Sequence, residues 1–157
     1  DTLVKAGKLA RDRKDPAMAA ELFAVASERK PRDPDILGDL GTAFLAAGDL
    51  DRAERALRES RRLRPSEPRA PFYLANIALL RDEERAAREL VVEAVRLDPK
   101  FIAPLLNLAR WLGDKGRFDE AAREIADALE RRPGDAEALK LREQIGNIAA
   151  RRRATAP

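Results

Sequence analysis

Pro31, Pro65, Pro99 and Pro133 stand 34 residues apart in a chain of 157 residues. The same step links Ala19, Ala53, Ala87 and Ala121. It also links Gly7, Gly41, Ala75 and Ala109, then Ala26, Ser60, Ala94 and Ala128, and the bulkier row Phe23, Leu57, Val91 and Ile125. Small residues recur in the small rows and large residues in the large ones. A periodicity kept in five rows over four periods specifies a repeated structural unit, not a single irregular core.

Within each period the apolar spacing is helical twice over. Leu37, Leu40, Gly41 and Phe44 fall at i, i+3, i+4 and i+7, and after a break at Gly48-Asp49 the residues Leu50, Ala53, Leu57, Ser60 and Leu63 repeat the pattern. Each unit therefore reads as a helix, a tight turn and a second helix. Asp15-Pro16 and Asp33-Pro34 supply an acidic N-cap followed by proline in the first turn, and Lys115-Gly116 and Pro133-Gly134-Asp135 mark turns. The predicted helices span 2–13, 16–29, 34–47, 50–63, 68–81, 84–97, 102–115, 118–131 and 136–150. Antiparallel helices approach closely only where facing side chains are short, which accounts for Gly41 and Ala53, while Phe44 and Leu57 fill the space beside them.

These residues resemble the tetratricopeptide repeat signature. Leu37, Leu40, Gly41, Phe44, Gly48, Ala53, Leu57, Ser60 and Pro65 carry it once, and Leu105, Leu108, Ala109, Leu112, Gly116, Ala121, Ile125, Ala128 and Pro133 carry it again. The departures are Pro71 in place of a large residue, Lys14 and Asp82 where the family prefers glycine, and Ala10 and Ala78 in place of an aromatic residue. The expected fold is all-α, a right-handed superhelical solenoid of four helix-turn-helix repeats (about 1–33, 34–67, 68–101 and 102–135) plus a capping helix over 136–150. Ala136, Leu139 and Gly146 keep the repeat register there, but Arg142 and Glu143 take core-facing places. Residues 1–150 are expected to form one domain and 151–157 a disordered basic tail.

Composition removes most catalytic classes. The chain has no cysteine and no histidine, so thiol nucleophiles, thiolate metal sites and the commonest general base are absent. No metal motif, phosphate-binding loop, dinucleotide fingerprint or nucleophile elbow occurs. Carboxylates cluster at Asp82-Glu83-Glu84, Asp49 with Asp51, and Asp119-Glu120, all at inter-helix turns where acids favour the following helix N-terminus. The expectation is a protein that is not an enzyme, with no cofactor, no metal and no small-molecule substrate. Net charge is only +3, from 31 basic and 28 acidic residues. Basic clusters at Arg61-Arg62 with Arg64, at Arg131-Arg132 and at Arg151–Arg153 are interleaved with acids, which argues against nucleic acid. No run is apolar enough for a membrane span, so a soluble chain is expected, with a cytoplasmic location favoured over a periplasmic one. Arginine outnumbers lysine 24 to 7, a bias like that of GC-rich bacterial genomes.

The resemblance implies that the flank one residue beyond the core stripe of each first helix lines a concave groove. Read along the 34-residue rows, that groove holds Lys8, Thr42, Leu45, Arg69, Phe72, Asn76, Leu79, Leu106, Asn107 and Arg110, with Asp35, Gly38, Arg11 and Gly113 on the same rows. Phe72, Leu79, Leu106 and Leu45 would form an apolar patch, with Lys8, Arg69 and Arg110 as a basic rim and Asn76 and Asn107 as amide hydrogen-bonders. The alternative is that neighbouring repeats, the 136–150 helix or a partner domain of a longer chain cover the patch. The family's clamp for a terminal carboxylate is not matched, because Phe72 and Val4 stand where it requires lysine. The expected function is a protein interaction scaffold holding a peptide or helix of a partner in its concave groove, with a regulatory or docking domain of a larger enzyme or secretion or assembly component as the alternative and nucleic-acid binding as a minor one. Homo-oligomer formation stays open.

Overall fold

The computed structural model describes residues 2–155, and among them every regular element is an α-helix. In chain order these are α1 (Thr2–Asp12), α2 (Pro16–Arg29), α3 (Pro34–Ala46), α4 (Leu50–Leu63), α5 (Arg69–Leu80), α6 (Glu84–Leu97), α7 (Ala103–Asp114), α8 (Phe118–Arg131) and α9 (Ala136–Ala154). Through α8 each helix keeps the boundaries expected from the sequence to within one residue. The chain divides into two compact units, residues 1–77 and 78–157, and the division falls inside α5.

In the first unit α1 pairs with α2 and α3 with α4, while α3 also packs on α2. Their shared core joins Ala10, Ala19, Ala20, Phe23, Leu40, Ala43 and Ala56. The seam of each hairpin is tight where the sequence is small: a Cβ on Gly7 would lie 2.8 Å from Cε1 of Phe23. In the second unit α7 pairs with α8, and α6 and α9 pack on this pair. Leu105, Leu108, Ala109, Leu112, Ala121, Ile125 and Ala128 are buried there, which are the rows that the repeat assigns to the core.

Each first helix ends in the same backbone motif. The N–H groups of Asp15, Asp49, Glu83 and Arg117 donate to the carbonyls of Ala10, Phe44, Ala78 and Leu112. Those of Lys14, Gly48, Asp82 and Gly116 donate to Arg11, Leu45, Leu79 and Gly113. This pairing, with a left-handed residue just past the helix, is a Schellman closure. Gly48 and Gly116 reach φ of 82° and 76° without steric cost, whereas Lys14 and Asp82 take the same conformation at 60° and 57° with a Cβ in the way. At the helix starts, the carboxylates of Asp15, Asp33, Asp49 and Asp135 accept from backbone N–H groups of the first turn.

The C-terminal helix departs from expectation twice. It continues through Ala154, past the point where a disordered tail was expected, with the Arg152 guanidinium 5.4 Å from the Phe118 ring centroid and Arg153 reaching Asp119 at 3.5 Å. It is also rotated. The repeat register would turn Leu139, Arg142, Glu143 and Gly146 inward, but α9 buries Ala138, Leu141 and Ile145 and leaves Leu139 exposed. Keeping register would bury two unlike charges at neighbouring positions, so the helix presents the stripe one residue earlier, roughly 100° round its axis.

Candidate functional site

Side chains from three first helices meet in one cleft of the first unit. Its wall takes Arg11 from α1, Gly38, Asp39 and Thr42 from α3, and Arg69, Ala70 and Tyr73 from α5, with Asp35, Ser60, Arg64 and Glu67 at one end. Thr42 and Arg69 are expected groove residues, and Arg11, Asp35 and Gly38 belong to the same rows. Tyr73, Arg64 and Glu67 were not anticipated. Tyr73 lies 34 residues before Asn107, so its row was readable from the sequence. The cavity volume of this cleft is about 60 Å³, far below the roughly 300–1,000 Å³ of a small-molecule site. Gly38 keeps the wall shallow, since a Cβ there would lie 3.4 Å from Ser60 Oγ. Ser60, a buried polar residue, donates its hydroxyl to the Pro34 carbonyl at 2.8 Å and so ties α4 to the first turn of α3.

Charge in this cleft is paired side chain by side chain. Asp39, 15% exposed at its side chain, accepts from Arg11 at 3.2 Å and lies 3.8 Å from Lys8. Asp35 accepts from both terminal nitrogens of Arg64, at 2.6 and 3.0 Å, and that hydrogen-bonded guanidinium holds its carboxyl below the usual range. Arg69 donates to Glu67 at 3.1 Å. Of the expected basic rim, Lys8 and Arg69 face carboxylates of the same unit and stay exposed. Phe72 and Asn76 are half-buried on α5 and are not part of the lining, with the Phe72 and Tyr73 rings 4.8 Å apart. Leu45 is half-buried and outside the lining.

The second unit treats its groove-row residues differently. Leu106 is 1% exposed and Leu79 7%, so neither presents an anchor to a ligand, which corrects the expected apolar patch. On α7 the side chain of Arg110 bonds Asn107 Oδ1 at 3.0 Å and pairs with Glu137 of α9. A Cβ on Gly113 would meet Ile145 Cδ1 of the same helix. Leu106, Arg110 and Gly113 share one stripe of α7, and α9 lies along it. The open alternative that the C-terminal helix covers this part of the groove is the arrangement found in this unit.

Elsewhere the carboxylates hold helices together. Glu84 accepts from Arg117 at 2.6 and 2.9 Å and from Arg88 at 2.8 Å, and these bonds lower its pKa to about 2. Arg88 also reaches Glu120 and Glu124, both at 3.1 Å. Burial pushes the Glu124 carboxyl up, and Arg88 only partly offsets it. The basic clusters are likewise paired, Arg62 with Glu59 at 2.6 Å and Arg131 with Asp127 at 2.8 Å. Among the described residues no group of histidine, cysteine or acidic side chains is placed to hold a metal ion, and no helix is long and apolar enough to cross a membrane.

A family model described as tetratricopeptide repeat matches residues 10–70 and 78–145. Cellulose synthase operon protein C of Pseudomonas fluorescens (strain SBW25) is 32% identical over 140 residues, which cover 83% of this chain and 11% of that protein. The chain thus spans about a tenth of the length of that curated relative. Two solved structures are similar in fold. TTC0263, a thermophilic TPR protein of Thermus thermophilus, is 23% identical with a TM-score of 0.76, over 92% of this chain and 78% of that one. YrrB, a TPR protein with an unusual peptide-binding site, is 16% identical with a TM-score of 0.66, over 93% and 75%.

Proposed function

The chain belongs to the tetratricopeptide repeat family, and we propose on that footing that it is a protein interaction scaffold whose first helices hold a peptide or helix of a partner. The observation that carries this reading is the convergence of Arg11, Gly38, Thr42, Arg69 and Tyr73 from α1, α3 and α5 on one cleft too small for a metabolite. A shallow wall with one aromatic ring, the hydroxyls of Thr42, Ser60 and Tyr73 and hydrogen-bonded ion pairs suits an elongated ligand that lies across several helices. YrrB, similar in fold, is described as having a peptide-binding site, which favours the same use of the fold here.

The test is recovery of a bound protein from the source organism, with Tyr73→Ala and Thr42→Arg as cleft variants and Arg58→Glu on the exposed side of α4 as control. The cleft variants lose the partner at unchanged circular dichroism and the control keeps it. Retention by both cleft variants, with loss in the control, places recognition on the second helices and defeats the proposal.

A second reading has the same residues as one docking segment of a longer assembly protein. The similarity to a small share of cellulose synthase operon protein C favours it. The full coding sequence around these residues distinguishes the two.

A further inference from the structure

Val92 of α6 is the most exposed large apolar side chain among the described residues, at 66%. Its row does not require an apolar residue, since α4 carries the exposed Arg58 there, paired with Glu54 at 2.6 Å. Val92 stands in a groove of the second unit that runs between α6 and α8. Val91 and Val95 of α6 and Leu105 and Leu108 of α7, all buried, form its floor, and its cavity volume is about 590 Å³. With Val92 so open to solvent this is a trough along the helices, not an enclosed site for a small molecule.

Three arginines rim the trough, and two of them already have their acids. Arg88 donates to Glu84, Glu120 and Glu124, and Arg131 donates to Asp127. Arg96, exposed and one turn on from Val92, has no carboxylate partner among the described residues. The trough thus offers apolar walls and one uncompensated positive charge. Its complement is an apolar surface that carries an acid. A groove between packed helices accepts the side-chain ridge of a third, and Val92 and Arg96 share one face of α6, so the two features it seeks lie about one turn apart on the ligand.

We propose that the α6–α8 trough is a second docking surface, which takes an amphipathic helix of a partner protein with a leucine- or phenylalanine-sized side chain against Val92 and a carboxylate against Arg96. The inference does not rest on the cleft reading, whose residues all belong to the first unit.

The test selects a displayed library of random helical peptides of about 15 residues on the whole chain, with counter-selection on Val92→Glu. Enriched peptides are expected to place an apolar residue and Asp or Glu one turn apart. By fluorescence polarisation they should bind Val92→Glu about tenfold or more weaker than the parent, and Arg96→Glu about threefold or more weaker. A peptide with Lys in place of its acid should regain affinity on Arg96→Glu, which a general loss of folding would not produce. Both positions are exposed, so both variants should keep the circular dichroism and melting of the parent. Tyr73→Ala should bind the peptides as the parent does. Failure to enrich any peptide that distinguishes the parent from Val92→Glu, absence of the charge-swap rescue, or loss of binding in Tyr73→Ala overturns the proposal. So does sedimentation showing a parent dimer that Val92→Glu disperses, for then the occupant is a second copy.

Discussion

Gly41 and Leu57 meet across the α3–α4 hairpin with no space for one more carbon: a Cβ on Gly41 would lie 2.6 Å from Leu57 Cγ and 3.2 Å from the carbonyl oxygen of Ala53. The contact is steric and partly with backbone, so Leu57 cannot relieve it by changing rotamer alone. Gly41→Ala should therefore destabilise by about 1–3 kcal/mol, although alanine is the better helix former. Gly146 in α9 has nothing within 4 Å of the same atom. Gly146→Ala should stabilise by about 0.5–1 kcal/mol. Urea unfolding midpoints of the two variants are expected to move in opposite directions, and a shift of the same sign in both would refute the hairpin seam.

Lys14 and Asp82 hold the left-handed position that Gly48 and Gly116 occupy in the other hairpins. Lys14→Gly should raise stability by about 1 kcal/mol through relief of that strain. Asp82→Gly should gain less, because Asp82 also pairs with Lys115 at 2.6 Å, an exposed bridge worth well under about 1 kcal/mol. Thermal melts of the two single variants rank the gains.

Acid should loosen the second unit through Glu84. Its folded pKa of about 2 lies below the ordinary 4.5, so the unfolded chain binds more protons in that interval. The stability it contributes is complete above 4.5 and is lost as pH falls toward 2. Glu124 runs the other way, since burial raises its pKa and its contribution is lost as pH rises through the folded value. The melting temperature should fall between pH 4.5 and 2, and Glu84→Gln should lower stability at neutral pH while flattening that acid limb. An unchanged acid limb in the variant would assign the loss to other carboxylates.

Leu106→Ala should behave as a core truncation, costing about 2–5 kcal/mol, because the side chain is 1% exposed. Phe72, half-buried at the same row, should cost less on truncation. Denaturant midpoints decide it, and equal costs would mean that both positions share one environment.

That contrast shows where reading the sequence succeeds and where it stops. The hairpin seam was legible because steric fit is local: Gly41 needs a partner 16 residues on, and the rows show Leu57 there. Helix ends were legible for the same reason, through Asp15, Asp33 and the turn glycines. The site was legible only in part. Reading row by row assumes that Gly38, Phe72 and Leu106 meet the same surroundings, whereas α9, turned out of register, sets Glu137 on Arg110 and Ile145 on Gly113. The pairing of charges was hidden for a related reason. Arg11 with Asp39 and Arg64 with Asp35 pair across 28 and 29 residues, and no charge count reveals which cation already has its acid.

The closures after α1, α3, α5 and α7 use only backbone N–H and carbonyl groups. What joins the two helices of a hairpin thus makes almost no demand on side chains beyond one left-handed residue. The row Lys8, Thr42, Asn76 and Arg110 runs along the same first helices and shares no chemistry from one repeat to the next. The joint and the residues along this row are then separable properties. A duplicated hairpin inherits its joint intact, and selection can rewrite the row beside it, the surface proposed above for a partner, without having to solve the folding problem a second time.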